Sequence, residues 1–398
     1  MARGPDTRNP FTPDSGVKPP ALTGRDQELQ HLRSIITQVS EGGTERHVLI
    51  TGLRGVGKTV LLNEFEAMCT DAGWYADTKE VGRTTPLIAL VTRVARTALL
   101  RMDAKKRAGE KVRNALRALK SFEVTFGGVA SLKIEVDAAT GVADSGILSE
   151  DLRDVLVAVG QAAEEAEIGF ALILDELQNA AKEEYEALIM ALHRAKQKGL
   201  PVVFVGGGLP LLPVLTTDAK SYAERMFIVP KIGALSRAAA RAALVLPAER
   251  QNVKWEEEAV HRVFTLTEGY PFFLQEYGRR VWSLDDDPTI KIGDVEAAQP
   301  IVEADLDEEF YENRIGRLTN NERRYVAALA HLGDGPQRVA GVADLLGRTT
   351  SSLSPVRDGL MRSAVVYSPR RGFLDFTVPH CARFVRRNYP FDAEISEA

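Results

Sequence analysis

The chain has 398 residues, 44% of them apolar and 26% charged, and a formal net charge of −5. That length calls for two or three domains, and that composition belongs to a water-soluble globular protein, not to a disordered or fibrous one. The charge excludes a protein that coats nucleic acid over its whole surface, and two isolated cysteines, Cys69 and Cys381, make neither a disulfide framework nor a metal site.

No stretch reaches the apolar length of a membrane span, and the first residues lack the apolar run of a signal peptide, so a cytoplasmic location without a membrane partner is expected. Residues 1–20 hold five prolines and little that could pack, which predicts a flexible leader. Order begins at Leu22-Thr23-Gly24-Arg25-Asp26, where Thr23 or Asp26 is placed to cap a helix carrying Leu29, Leu32, Ile35, Ile36 and Val39 on one face.

Residues 47–51 are apolar and β-branched, as a buried parallel strand requires. They run into Gly52-Leu53-Arg54-Gly55-Val56-Gly57-Lys58-Thr59, a complete G-x-x-x-x-G-K-[ST] loop, and Val60 opens a helical pattern behind it. Gly52, Gly55 and Gly57 let the backbone curl until its N–H groups face a phosphate, and the helix adds the positive end of its dipole. Lys58 is placed to reach the β- and γ-phosphates, and Thr59 to offer its hydroxyl to Mg²⁺.

A second strand is expected over 73–81 and a helix over 86–102, followed by a basic helical stretch to Lys120. The alternating arms Phe122–Phe126 and Ala130–Val136 flank Gly127-Gly128 and predict a β-hairpin insertion over 122–136. Its Glu123 and Glu135 speak against contact with a nucleic-acid backbone. After a helix from Leu148, the apolar run to Leu174 ends in Asp175-Glu176. A carboxylate at the tip of a buried strand helps to hold Mg²⁺ in P-loop proteins, and the next one, Glu176, is placed to polarise an attacking water. A helix over 183–198, a strand over 202–206 and a shorter strand over 226–232 complete a mostly parallel sheet with helices on both faces. Arg225, just before that last strand, is the candidate for positive charge opposite Lys58; the bland alternative is a surface arginine paired with Glu224.

From Ala234 the pattern changes to short helices at 237–246, 256–267 and 271–282. Gly269-Tyr270-Pro271 opens the last of these, either as a plain helix entry or as a turn over the base and phosphates of a nucleotide. An acidic stretch runs to Glu312. Residues 319–389 then read as three helices and two short strands around Pro369–Gly372, the order of a winged helix. Between Gln337 and Pro390 stand nine arginines and three aspartates, a local charge of +6 that leaves −11 for the rest. Arg357, in an expected recognition helix, and Arg370 with Arg371 at the wing tip are the candidate contacts to double-stranded DNA. The competing reading has this surface latching onto acidic residues of the same chain. His380 could approach a phosphate, or simply cap a helix.

These motifs resemble those of AAA+-type P-loop ATPases of the STAND and origin-recognition-like group, from the Gly24-Arg25 box through the P-loop, Asp175-Glu176, Glu224-Arg225 and Gly269-Tyr270-Pro271 to the winged helix. The resemblance covers 22–389. It implies that Gly24, Arg25, Tyr270 and Pro271 contribute to an adenine pocket, that the nucleotide is ATP or ADP with Mg²⁺, and that nucleotide state moves a lid and winged helix, with self-association often following. The expected domains are a leader (1–20), a P-loop ATPase core (21–232), a helical lid (233–312), a winged helix (313–391) and a tail (392–398). Gly206-Gly207-Gly208 stands where many relatives place a polar sensor, and Pro271 stands where initiator ATPases place a sensor arginine; both departures point to slow turnover. The function expected is an ATP-hydrolysing switch acting on DNA or, in the competing reading, on a protein partner. A metabolic kinase is disfavoured because no acceptor-site motif appears.

Overall fold

A computed structural model describes residues 8–14, 16–103, 109–126, 137–219, 223–284 and 287–392. By their internal contacts the residues form two compact units: 25–51 with 58–231, and the described part of 1–24 with 52–57 and 232–392. No helix of the described residues is long and apolar enough to cross a membrane.

The first unit runs α1 (Asp26–Ser40), β1 (His47–Thr51), α2 (Lys58–Asp71), β2 (Tyr75–Glu80), α3 (Leu87–Met102), α4 (Glu110–Phe126), α5 (Leu148–Glu165), β3 (Phe170–Asp175), α6 (Lys182–Gln197), β4 (Val202–Gly208), α7 (Leu212–Ala219), α8 (Ala223–Met226) and β5 (Phe227–Ile228). Its five strands are all parallel and lie in the order β2-β3-β4-β1-β5. Strands β1, β3 and β4 are buried along their whole length, which is why they read as unbroken apolar runs and not as alternation. The register sets Leu174 beside Gly206 and Thr51 beside Gly208, so β1, β3 and β4 end close together on one edge of the sheet. One face is filled by α3 to α6, whose buried residues recur at helical spacing. Glu184 of α6 accepts from the N–H groups of Leu87 (3.0 Å) and Ile88 (3.4 Å), satisfying donors that the first turn of α3 leaves open.

Two expectations are corrected here. Residues 122–126 are not a hairpin arm but the last turn of α4, with Phe122 in the core and its ring 4.8 Å from that of Phe126. Two aromatic residues four apart meet on one helix face as readily as alternate residues line a strand, so the short pattern was ambiguous. The second arm, 130–136, lies outside the described residues. Neither Thr23 nor Asp26 caps α1: Arg25 is the capping residue, without a side-chain cap, and the Thr23 hydroxyl donates instead to the carbonyl of Ala239 at 2.8 Å.

The second unit holds α9 (Arg237–Glu249), β6 (Lys254–Trp255), α10 (Glu257–Thr267), α11 (Pro271–Leu284), β7 (Thr289–Ile290), α12 (Ile292–Asp305) with a π-helical continuation over Leu306–Glu312, and α13 (Asn313–Ile315). After these come α14 (Asn320–His331), β8 (Gln337–Arg338), α15 (Val339–Leu345), α16 (Ser354–Arg362), β9 (Val366–Tyr367), β10 (Phe373–Phe376) and α17 (Cys381–Asn388). Strands β8, β10 and β9 form a small antiparallel sheet. Residues 8–14, expected to belong to a flexible leader, pack against this unit. Phe11 is 3% exposed, edge-on to Trp255 and Trp282, and Asn9 and Thr12 hydrogen-bond to Arg279 and Gln275. One large aromatic ring in a pocket outweighs the polarity of its neighbours. Both cysteines are buried, Cys69 in α2 and Cys381 in α17, and burial pushes both thiols upward, that of Cys381 to about 12.

Candidate nucleotide site

In the first unit, α2 begins at Lys58, which is buried, and places Thr59 in its first turn. The Thr59 hydroxyl donates to Oδ2 of Asp175 at 2.5 Å. Asp175 ends β3, is 4% exposed, and accepts through Oδ1 from the N–H of Glu176 at 2.8 Å. A methyl group on Gly207 would lie 2.6 Å from that same Oδ1 and 2.8 Å from a Leu62 methyl, so the glycine makes room for the carboxylate. Val60, behind Thr59, is buried in the helix.

Glu176 adopts a left-handed conformation (φ 53°), unfavourable for a side chain with a Cβ, which turns it away from the line of β3. Its carboxylate accepts from Nε2 of Gln178, whose Oε1 in turn accepts from the N–H of Leu209 at 3.0 Å, just past the end of β4. Thr59 and Asp175 present hydroxyl and carboxylate oxygens side by side, the hard donors that Mg²⁺ prefers. Arg25 is buried, and burial lowers its pKa. Arg225 lies exposed at the end of α8 and, among the described residues, makes no hydrogen bond or ion pair with Lys58, Asp175 or Glu176.

In the second unit, the loop glycines Gly55 (φ 77°) and Gly57 (φ 94°) adopt the left-handed backbone that tight curling needs. A methyl on Gly52 would meet the Ile232 carbonyl at 2.5 Å, and one on Gly24 would meet the Ala239 side chain at 2.7 Å. Val56 is buried, while Leu53 and Arg54 are partly so. The Tyr270 hydroxyl donates to the carbonyl of Arg54, and the N–H of Phe272 donates to the carbonyl of Gly55 at 3.3 Å. Pro271 opens α11, where its missing N–H costs nothing. Burial pushes the Tyr270 hydroxyl well above its ordinary pKa, so it stays a neutral donor. From the other direction, the N–H of Arg54 donates to the carbonyl of Thr377 at 3.3 Å.

The arginines of the carboxy-terminal segment divide into two groups. Arg383 pairs with Glu268 (2.7 Å) and Asp334 (3.1 Å), Arg386 with Asp334 (2.7 Å), Arg387 with Asp307 (2.7 Å), and Arg357 with its neighbour Asp358 (3.1 Å). Asp334 is held below the ordinary carboxylate range by Arg386 and then Arg383, against the opposing effect of burial. His380 lies 3.5 Å from Glu268, and burial lowers its pKa despite that neighbour. Arg338, Arg348, Arg362, Arg370 and Arg371 are exposed, with the Arg370 guanidinium 3.9 Å above the Phe373 ring.

Thus Thr59, Asp175 and Glu176 come together in one unit, and Arg54, Gly55 and Tyr270 in the other. Gln178 and Thr377 are contacts that the sequence did not single out; Gln178 stands two residues past a carboxylate in no recognised motif, and Thr377 contributes only a carbonyl.

Residues 21–205 match the family model described as AAA ATPase domain. Residues 308–385 match a model described as a domain of unknown function, DUF8462. No curated protein matches the chain. Among solved structures, a Walker-type ATPase of Pyrococcus abyssi is similar at a TM-score of 0.51 and 15% identity, over 92% of this chain and 96% of that one. The ORC1 protein of Aeropyrum pernix, solved in complex with DNA, aligns at 0.44 and 15% identity over 97% and 95%. The RuvB Holliday junction branch migration motor of Thermotoga maritima aligns at 0.45 and 15% identity over 89% and 92%. The chain therefore carries an ATPase domain of AAA+ type on a P-loop NTPase fold.

Proposed function

We propose that the chain is an ATP-hydrolysing molecular switch whose nucleotide state is sensed by its carboxy-terminal half. The observation that supports this reading is the 2.5 Å bond from Thr59 to Asp175, the two residues expected to hold Mg²⁺. Mg²⁺, when bound, neutralises charge on the β- and γ-phosphate oxygens. Lys58 orients the phosphates and Glu176 accepts a proton from water; phosphate binding by the N–H groups of 52–57 follows from the loop motif alone, and adenine contact by Gly24, Arg25, Tyr270 and Pro271 from the family resemblance alone. The oxygen of that water bonds to the γ-phosphorus as the bond to the β–γ bridging oxygen breaks, and the electron pair leaves with ADP. Arg225, being exposed, fits a charge supplied to a neighbouring copy, so self-association on ATP binding belongs to this reading.

The carboxy-terminal segment is read as a winged helix that acts chiefly as an intramolecular latch. The Thr377 carbonyl and the Tyr270 hydroxyl rest on the backbone of Arg54, and Arg383, Arg386 and Arg387 are committed to acidic partners of the same chain. Double-stranded DNA is the second reading, favoured by the exposed Arg348, Arg362, Arg370 and Arg371; Arg357, paired with Asp358, fits it less well.

The test is nucleotide binding and phosphate release, with gel filtration in ADP and in a non-hydrolysable ATP analogue. Lys58→Ala is expected to lose binding. Glu176→Gln should bind ATP normally and release phosphate about 10²–10⁴ times more slowly, the usual contribution of a positioned base. Wild-type turnover in Glu176→Gln would refute the assignment. For DNA, a salt slope that falls by about 0.9 per lost phosphate contact in Arg370→Ala with Arg371→Ala supports the second reading, and an unchanged slope removes it.

A further inference from the structure

Glu176 immediately precedes a three-residue helical turn (Leu177–Asn179), is half-buried and has a left-handed backbone, and its carboxylate has to be held to act on one water. The Gln178 side chain answers that need. Its Nε2 donates to the Glu176 carboxylate, and its Oε1 accepts from the N–H of Leu209 at 3.0 Å. Only one orientation of the amide satisfies both partners, because a carboxylate cannot donate and a backbone N–H cannot accept. Gly208 keeps the space open: a methyl there would stand 2.6 Å from Oε1 of Gln178. A β-branched residue, otherwise favoured at the end of a buried strand, would therefore expel the amide.

We propose that Gln178 is a positioning residue for hydrolysis, fastening the Glu176 carboxylate to the end of β4. The inference rests on the reading of Glu176 as the group that takes the proton from water. Through Gln178 the carboxylate is tied to β4, the strand that separates β1 from β3, so its position is set by the sheet and not by the turn alone.

The experiment measures kcat and KM of phosphate release, with Mg·ADP affinity and melting temperature as controls, for wild type, Glu176→Gln, Gln178→Ala, Gln178→Glu and Gln178→Asn. Gln178→Ala is expected to lower kcat about 10-fold or more with ADP affinity unchanged, since a loosened base loses part of its catalytic factor but binds nothing less. Gln178→Glu keeps the shape and the acceptor toward Leu209 but replaces the donor with a second carboxylate that repels the first, which should lower kcat about 10-fold or more with ADP affinity unchanged. Gln178→Asn, one methylene shorter, should not restore the rate. A Gln178→Ala and a Gln178→Glu that match wild type in kcat, beside an inactive Glu176→Gln, overturn the inference alone. A fully active Glu176→Gln removes the underlying reading and the inference with it. Should Gln178→Ala fail to fold, the isosteric Gln178→Glu still decides through kcat measured against its ADP affinity.

Discussion

Replacing Gly207 by alanine adds one methyl group at the point where β4 passes the Asp175 carboxylate. The new Cβ would stand 2.6 Å from Oδ1 and 2.8 Å from a Leu62 methyl, whereas ordinary contact begins at 3.4 Å. In a close-packed interior the carboxylate oxygen must therefore retreat by about 0.8 Å. Oδ1 is the atom that accepts from the Glu176 N–H at 2.8 Å, and Oδ2 of the same group accepts from Thr59 at 2.5 Å, so neither bond survives the retreat unchanged. Overpacking by one methyl costs about 1–3 kcal/mol, which lowers the melting temperature by about 2–12 °C in a unit of this size. Losing one hydrogen bond to a charged group costs about 1.5–3 kcal/mol, a weakening of Mg²⁺-dependent affinity by about 10- to 150-fold. Differential scanning fluorimetry and titration calorimetry with ADP, each with Mg²⁺ and with EDTA, read both effects. The expected result is a lower melting temperature and a Mg²⁺ contribution to ADP binding that is largely gone. A variant that melts within about 1 °C of wild type and keeps its Mg²⁺ contribution refutes the idea that Gly207 exists to accommodate Asp175.

Phe11→Ala removes a ring packed edge-on to Trp255 and Trp282 and is expected to destabilise the second unit by about 3–5 kcal/mol, measured by urea unfolding followed through tryptophan emission; a loss under about 1 kcal/mol would mean the segment does not belong to that core. His47 is fully buried beside Phe204 and Phe227, and burial, then Lys196, pushes its pKa down to about 3. Because the unfolded chain binds the proton first, stability is complete above pH 6.5 and falls by about 1.4 kcal/mol per pH unit as pH drops from there toward the folded pKa. His47→Gln, which keeps an acceptor for the Phe204 N–H, should flatten that slope in unfolding curves taken between pH 4 and 7; an unchanged slope would place the titration elsewhere.

The candidate-site motifs stand out in the sequence because their spacing is dictated by chemistry. A phosphate cradle needs glycine at fixed offsets, and Asp175 announces itself as a charge at the end of an unbroken apolar strand. The parallel sheet was legible for the same reason, since β1, β3 and β4 are buried on both faces and their sequences carry no polar interruption. What escaped was local pattern too short to choose between periods, as at Phe122 and Phe126, and order that depends on a distant pocket, as at Phe11. Gln178 escaped because its role comes from β4, which follows it by more than 20 residues. The carboxy-terminal arginines looked uniformly available as a charge count, but folding commits Arg383, Arg386 and Arg387 to Glu268, Asp334 and Asp307. Net charge is summed along the chain, and pairing is decided in three dimensions.

The two buried thiols carry a practical consequence. Cys69 and Cys381 are the only cysteines in the chain, and burial raises the pKa of both, so at neutral pH neither offers the thiolate that maleimides and iodoacetamides attack. A cysteine introduced at exposed Asn63 of α2 and another at exposed Ser352, ahead of α16, would be the two reactive positions in an otherwise native background. A donor and acceptor dye pair attached there turns the molecule into its own ruler, one mark on each unit, read with and without added ATP.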